Sequence, residues 1–143
     1  MRTLQLLFVT LKKYRVDLGA LVLKSSMVLA GDAYKEQSTP EEVAAATIRT
    51  FHLSVPREVG GIVFLSGGQT AKRATENLQA VQAIGPHPWP ITFSYSRAIE
   101  EPVLVAWQGK PENISAGQKA LLNRLKHNSL AQLGTYDAAA DTE

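Results

Sequence analysis

Three short apolar segments constrain this chain more than any other feature. They cover residues 18–23, 61–65 and 91–93, and each is followed by a polar turn and then by a helical pattern. Near-continuous apolar runs that alternate with helices predict parallel strands joined by right-handed crossovers. Three such strands do not close a sheet, so two architectures stay open: a small open α/β layer, or part of a larger barrel.

Local signals predict where the elements begin and end. Strands are expected over residues 20–23, 62–65 and 91–93, and apolar residues at helical spacing predict a first helix over residues 3–15. Thr39 as N-cap, Pro40 at the first helical position and Glu42 three residues after the cap predict a second helix, which Pro56 ends. A third helix follows the second strand and stops at Gly85.

Two further helices are predicted after the third strand, near residues 99–107 and from about residue 112 to residue 133. In the last helix Ile114, Leu121, Leu122 and Leu125 form one apolar face. Gly134 can end this helix. The Ala- and Asp-rich tail beyond it is predicted to be frayed.

Composition excludes several classes of function. The 143 residues suit one domain, and 15 basic against 13 acidic side chains give a formal charge of only +2, with no basic tract for a nucleic acid. Zero cysteines exclude disulfides and thiolate metal sites and fit a reducing cytosol, while three scattered histidines predict no metal. The apolar amino-terminal stretch is far shorter than the roughly 20 residues that span a bilayer, so no membrane association is expected.

Lys24 is the first candidate functional residue, because it closes an apolar strand. Ligands of parallel α/β sheets and barrels sit at the carboxyl ends of the strands. A lysine partly desolvated at the mouth of a barrel has a lowered pKa, and its neutral amine can attack a ketone to form a Schiff base. On position alone, a lysine that simply points to solvent is the competing interpretation.

Ser66-Gly67-Gly68 and Arg97 follow the next two strands and suit an anion. Backbone N–H groups of the glycine turn could form a nest for phosphate, helped by the helix that begins near Thr70. The guanidinium of Arg97 offers a fork of donors that matches phosphate geometry. An ordinary strand-to-helix turn and a surface arginine are the alternatives. In barrels, however, the phosphate site is frequently built after two consecutive strands.

Longer motifs carry a resemblance to a known family. The sequence is similar to class I fructose-bisphosphate aldolase from about Leu6 to Tyr136, in one order and with the family's spacing. The segments that carry the likeness are Leu21-Val22-Leu23-Lys24, Gln37-Ser38-Thr39-Pro40-Glu41-Glu42, Phe64-Leu65-Ser66-Gly67-Gly68-Gln69, Thr92-Phe93-Ser94-Tyr95-Ser96-Arg97, Ala106-Trp107-Gln108-Gly109-Lys110 and Asn128-Ser129-Leu130-Ala131.

The resemblance implies an incomplete (β/α)8 barrel in which residues 1–143 form a single partial domain holding strands six to eight. Lys24 would match the Schiff-base lysine. Ser66, Gly67 and Gly68, with Ser96 and Arg97, would match the binding site for a substrate phosphate, although many members have glycine where Ser96 stands. The family's catalytic aspartate, its two further lysines and its acid–base glutamate belong to the first five strands, which this chain lacks.

Three functional hypotheses follow. The first is a cytoplasmic enzyme of glycolysis and gluconeogenesis that needs no cofactor and cleaves fructose 1,6-bisphosphate to dihydroxyacetone phosphate and glyceraldehyde 3-phosphate, although the isolated chain is expected to be inactive. The second is a non-catalytic half-barrel that binds phosphate. The third is a fragment that needs a complementary half. Intact members of the family are homo-oligomers.

Overall fold

A computed structural model, which describes residues 1–31 and 33–141, has three strands among helices. Two short 3-10 helices lie at Leu18–Ala20 and Pro111–Asn113. The main elements, in chain order, are α1 (Arg2–Lys13), β1 (Val22–Ser25), α2 (Pro40–Ser54), β2 (Gly61–Phe64), α3 (Ala71–Ala83), β3 (Ile91–Phe93), α4 (Arg97–Trp107) and α5 (Ile114–Gln132). The predicted alternation of strands and helices is confirmed, with boundaries that agree or shift by at most two residues.

The three strands form an open parallel sheet in the order β1-β2-β3, as predicted. Lys24 lies opposite Val63, and Val63 lies opposite Thr92. Side chains alternate across a strand, so these three residues share one face of the sheet. The buried neighbours Ile62 and Phe64 point to the other face, where the helices pack.

Aromatic side chains form the centre of the helix-covered core. The rings of Phe51 and Phe64 stack with centroids 5.9 Å apart, and Trp89 meets Phe51 edge-on at 6.4 Å. The indole of Trp89 donates to the carbonyl of Pro56 at 2.7 Å, which fixes the connector before β3. Burying each large apolar side chain stabilises the fold by about 1.5–3 kcal/mol.

The first strand begins two residues later than predicted, because residues 18–20 form a 3-10 turn. The carboxylate of Asp17 accepts a hydrogen bond from the N–H of Gly19 at 2.9 Å and starts that turn. Gly60 packs directly against it: a Cβ on Gly60 would lie 2.3 Å from the carbonyl oxygen of Gly19. The backbone N–H of Gly60 donates to the carbonyl of Leu18 at 3.0 Å. These contacts hold the segments before β1 and β2 together at the amino ends of the strands.

The buried face of α5 is polar, which the sequence did not predict. The expected apolar face is open to solvent, and Leu122, for example, is 67% exposed. The residues that α5 buries are Gly117, Arg124, His127, Asn128 and Ala131. This outcome has a physical reason: Asn128 bonds to the carbonyl of Arg124, and the side chains of both residues bond to Thr75 on α3, so they are buried with partners.

The prediction of a frayed tail is wrong for the residues that the structure describes. Residues 136–141, which we call the strap, lie across α3 and α5, and Asp141 is only 3% exposed. Asp141 accepts two hydrogen bonds from one nitrogen of the Arg124 guanidinium, at 2.9 and 2.8 Å. The ammonium of Lys72 donates to the carbonyls of Ala138 and Asp141 at 3.0 and 3.2 Å. A buried ion pair therefore anchors the strap.

Candidate functional site

The candidate site lies at the carboxyl ends of the three strands, which we call the rim: residues 24–26, 65–68 and 94–97. The strand ladder continues into the rim, because the N–H of Leu65 donates to Ser25 and the N–H of Ser94 donates to Phe64. Backbone hydrogen bonds thus hold the first rim residues in register. The rim brings together residues from three distant parts of the sequence.

Lys24 lies inside β1, one residue before the strand ends, and its side chain is on the face of the sheet that the helices do not cover. It is exposed in this structure, as is Val22 on the same face, which is 59% exposed. The desolvation expected at the mouth of a barrel is therefore not present around this lysine. Its ammonium donates a hydrogen bond to the hydroxyl of Ser94, with 3.2 Å between Nζ and Oγ.

Ser66 has a different position from the other predicted phosphate-binding residues. It is 4% exposed, and its hydroxyl accepts a hydrogen bond from the backbone N–H of Ala98 at 3.3 Å. Its carbonyl accepts from the N–H of Gln69 at 3.0 Å, which closes the turn after β2. The side chain of Ser66 therefore ties this turn to the first turn of α4.

Gly67 and Gly68 form the exposed tip of that turn. A Cβ on Gly67 would lie 3.0 Å from the side chain of Leu65 and 4.0 Å from Nη2 of Arg97, so the guanidinium lies close to the glycine backbone. Gly68 has a φ of 78°, a conformation that favours glycine. The rim thus combines a glycine turn with an exposed arginine. The sequence predicted that these two groups lie close together.

Ser96 is the N-cap residue of α4 and is exposed beside Arg97. Its carbonyl accepts hydrogen bonds from the N–H groups of Ile99 and Glu100, at 2.9 and 2.8 Å. On the other side of the turn, Thr70 caps α3 by accepting from the N–H of Arg73. Two helix amino termini therefore flank the turn, and each contributes a partial positive charge.

Tyr95 fixes the rim segment between Ser94 and Ser96. Its ring is buried, and its hydroxyl donates to the carbonyl of Ala74 on α3 at 3.0 Å. Burial raises the pKa of the Tyr95 phenol far above its ordinary value, so the phenol is neutral at physiological pH. Tyr95 is an anchor for the rim rather than an acid or base.

The described residues hold neither a metal-binding cluster nor a membrane-spanning helix. Over residues 1–31 and 33–141, histidine, aspartate and glutamate side chains form no cluster of three that could hold a metal ion. In the same part of the chain, no helix is long and apolar enough to cross a membrane.

Sequence reasoning missed Ser94 and the strap. Ser94 was part of a recognised motif, but only the three-dimensional structure shows that it contacts Lys24. Arg124 was not singled out from the sequence, although it is 1% exposed. A signal existed: the last helix carries an arginine and an asparagine four residues apart, at positions 124 and 128, and this spacing places both on one helical face.

Comparison with known families gives a match over the whole chain. A family model described as "Glycolytic: Fructose-bisphosphate aldolase class-I" matches residues 1–143. Fructose-bisphosphate aldolase 3, chloroplastic, from Arabidopsis thaliana is 48% identical over 136 residues, which are 95% of this chain and 34% of the relative. Fructose-bisphosphate aldolase from Plasmodium falciparum (isolate K1 / Thailand) is 42% identical over 142 residues, or 99% of this chain and 39% of the relative.

A solved structure agrees with the sequence relatives. Fructose-bisphosphate aldolase from Plasmodium falciparum, in complex with TRAP and a small molecule inhibitor, superposes with a TM-score of 0.92 at 43% identity. The match covers 95% of this chain and 39% of that one. The chain therefore spans between about a third and two fifths of the length of these relatives.

Proposed function

The chain belongs to the class-I fructose-bisphosphate aldolase family, and on that premise we propose that its rim carries the covalent and phosphate-binding groups of a Schiff-base aldolase. Its three parallel strands are part of a (β/α)8 barrel, in agreement with the expected fold class. The observation that supports the proposal most directly is the meeting of an amine, a glycine turn and a guanidinium at one end of one sheet.

Lys24 is the proposed nucleophile. Its neutral amine donates its lone pair to the carbonyl carbon of a ketose phosphate, a C–N bond forms, and the carbonyl π electrons move to oxygen. The oxygen gains a proton and the nitrogen loses one. The new hydroxyl then takes a second proton, from solvent, and leaves as water while the nitrogen lone pair forms the C=N bond of the iminium. The iminium withdraws electrons from the adjacent carbon–carbon bond as that bond breaks. Lys24 suits this role because its amine already lies over the rim, held by the hydroxyl of Ser94 at 3.2 Å.

The phosphate is proposed to lie between Gly67, Gly68, Ser96 and Arg97. Backbone N–H groups of a glycine turn and a guanidinium fork suit an anion together, and Nη2 of Arg97 is 4.0 Å from the Cβ position of Gly67. We assign Ser66 a supporting part: its hydroxyl is buried against Ala98, so it shapes the site, while its backbone belongs to the turn. Two helix amino termini add favourable charge.

Cleavage of fructose 1,6-bisphosphate to dihydroxyacetone phosphate and glyceraldehyde 3-phosphate needs more than these groups. A base must take the proton of the C4 hydroxyl as the bond breaks, and a proton must return to the enamine. The carboxylates near the rim, such as Glu36 and Glu100, are exposed. We therefore propose that turnover requires further strands of the barrel, whose groups perform the proton transfers.

A second candidate function is a half-barrel that binds phosphate without turnover, or one that acts after pairing with a complementary half. One observation favours it: the face of the sheet that holds Lys24 is open, with Val22 59% exposed. Under this hypothesis dihydroxyacetone phosphate binds and forms a Schiff base, and adding a polypeptide that carries the remaining strands restores cleavage. Homo-oligomers are then expected only for the completed barrel.

Localisation is proposed separately. Zero cysteines fit the reducing cytosol. We propose that both the chain and its phosphorylated-sugar substrate are found in this compartment. The relative from Arabidopsis thaliana is described as chloroplastic. Cell fractionation that places this chain in a plastid would contradict the cytosolic assignment.

Chemical trapping tests the proposed nucleophile. The chain is incubated with dihydroxyacetone phosphate, reduced with borohydride and mapped by mass spectrometry of its peptides. We expect the reduced adduct on Lys24. Lys35 and Lys110 are also exposed and serve as internal controls for non-specific amine labelling. Labelling of either control lysine in preference to Lys24 would overturn the assignment.

A further inference from the structure

Ser94 contacts Lys24 but has no part in the proposed function described above. It follows β3 by one residue and is half-buried, and its backbone N–H donates to the carbonyl of Phe64 at 2.8 Å. The neighbouring Tyr95 is anchored to α3 through the carbonyl of Ala74. The backbone of Ser94 is therefore held on two sides, and its hydroxyl offers a fixed acceptor at the rim.

The contact between Lys24 and Ser94 crosses the middle strand. Neighbouring strands lie roughly 4.8 Å apart, so β1 and β3 are separated by about twice that distance. The lysine stem must therefore lie across β2, over the face that carries Val63, to place Nζ at 3.2 Å from Ser94 Oγ. A lysine has a flexible four-carbon stem, and without an acceptor at this position the amine would sample many positions in solvent.

We propose that Ser94 is a positioning residue for Schiff-base formation, an inference that rests on the proposed function of Lys24. Its hydroxyl oxygen accepts an N–H of the amine and holds the nitrogen on the β3 side of the rim. Arg97 follows three residues later in the same segment, so one short segment places the amine and binds the substrate phosphate. The segment 94–97 then fixes the distance between the covalent contact of the substrate with Lys24 and its ionic contact with Arg97. The flexible lysine stem does not set this distance.

The kinetics of trapping test this role on the whole chain. Dihydroxyacetone phosphate is varied, borohydride stops the reaction at set times, and the adduct on Lys24 is quantified by mass spectrometry. Ser94→Ala should lower the saturating rate about three- to tenfold, the size of one ordinary hydrogen bond, with the half-saturating concentration unchanged. Ser94→Thr, which keeps the hydroxyl, should stay within about twofold of the parent on the same scale.

The matched control is Ser115→Ala, which removes an exposed hydroxyl from the first turn of α5, outside the rim; its rate should equal that of the parent. Equal saturating rates in Ser94→Ala and the parent would overturn the inference and leave Lys24 as nucleophile. A loss in Ser94→Thr as large as that in Ser94→Ala would also overturn it, because the hydroxyl would then be irrelevant. Absence of any adduct on Lys24 in the parent would instead overturn the proposed function itself.

Discussion

The rim and the strap are both polar, yet they are held in opposite ways. At the rim, Lys24, Gly67, Gly68, Ser96 and Arg97 are exposed and lightly bonded. In the strap, the carboxylate of Asp141 accepts hydrogen bonds from Arg124 and from the hydroxyl of Tyr136, the latter at 2.7 Å, and all three residues are buried. The polar groups of the rim are open to solvent, whereas the buried polar groups of the strap bond to other groups of the chain.

This difference shows that the polar residues that stabilise the fold are separate from those of the candidate site. Arg124 also donates to the carbonyl of Ala71 and the hydroxyl of Thr75, at 3.1 and 2.6 Å, so α3, α5 and the strap share one network. A satisfied buried network makes a region rigid. The rim groups have few bonds to lose, so contact with a ligand there would not disrupt the fold.

The largest expected effect concerns cleavage of fructose 1,6-bisphosphate by this chain. Positioned acid–base groups contribute typically 10²–10⁴-fold in rate, so the 143-residue chain should cleave fructose 1,6-bisphosphate at least about 10²-fold more slowly than an intact family member. A coupled assay for the triose phosphate products on the purified chain measures this. Turnover within tenfold of an intact aldolase would mean that a local carboxylate, such as Glu36 or Glu100, performs the proton transfers.

The next effect is expected in the strap. Asp141→Ala leaves the buried guanidinium of Arg124 without its carboxylate, and breaking a buried ion pair in this way costs about 3–5 kcal/mol. Urea titration followed by circular dichroism should show the loss in the free energy of unfolding. The exposed pair of Lys12 and Glu58, 3.1 Å apart, is the control, and Glu58→Ala should leave the urea midpoint unchanged. Equal effects of the two substitutions would contradict the comparison.

Arg97→Ala should have a smaller effect, and only on binding. Hydrogen bonds to charged groups are worth roughly 1.5–3 kcal/mol, so the dissociation constant for dihydroxyacetone phosphate should rise by about 10- to 150-fold. Calorimetric titration measures it, while the urea midpoint should not move. Arg49→Ala, which removes an exposed arginine from the middle of α2, is the control. Undiminished binding in Arg97→Ala would place the phosphate elsewhere.

The smallest expected effect is the pH dependence of the strap. Burial by itself would raise the pKa of Asp141, but hydrogen bonds from Tyr136 and Arg124, with the charge of Arg124, hold it below the ordinary value of 3.8. Because the pKa of Asp141 is lower in the folded chain than in the unfolded chain, the carboxylate stabilises the fold fully above the unfolded pKa. This stabilisation is lost as the pH falls through the folded pKa. The strap should therefore stay bound from pH 8 to pH 5.

Hydrogen exchange of the Tyr136 amide reports this transition, because that N–H donates to the side chain of Gln79 at 3.0 Å. Its protection should be constant from pH 8 to pH 5, after correction for the intrinsic exchange rate, and should fall only in more acidic solution. Loss of protection between pH 5 and pH 7 would contradict Asp141 as the group that anchors the strap.

Much of the fold could be predicted because local rules determine it. The capping box of Thr39 and Glu42, confirmed with both hydrogen bonds, needs only residues three positions apart. The parallel order of the strands follows from alternation with helices. The positions of Gly67, Gly68 and Arg97 near one another follow because consecutive parallel strands end at the same edge.

The rest depended on contacts between distant segments. Whether a leucine or an arginine of α5 is buried depends on what α3 and the strap offer, and Arg124 finds Asp141 and Thr75 there. The hydroxyl of Ser66 is engaged because Ala98, 32 residues later, presents an N–H. The roles of Lys24 and of the phosphate-binding residues stay predictions, which the trapping and binding experiments test.

The close packing of Gly60 against Gly19 has a consequence for how this protein can change. It fastens β1 to β2 at the end of the sheet opposite the rim, with a hydrogen bond from Gly60 to Leu18. Substitutions of rim residues leave this contact untouched, whereas any side chain at position 60 collides with backbone. Libraries for directed evolution should therefore tolerate broad diversity at the exposed residues Ser96 and Arg97 and almost none at Gly60. The exposed part of the rim is thus the accessible place to search for altered ligand binding.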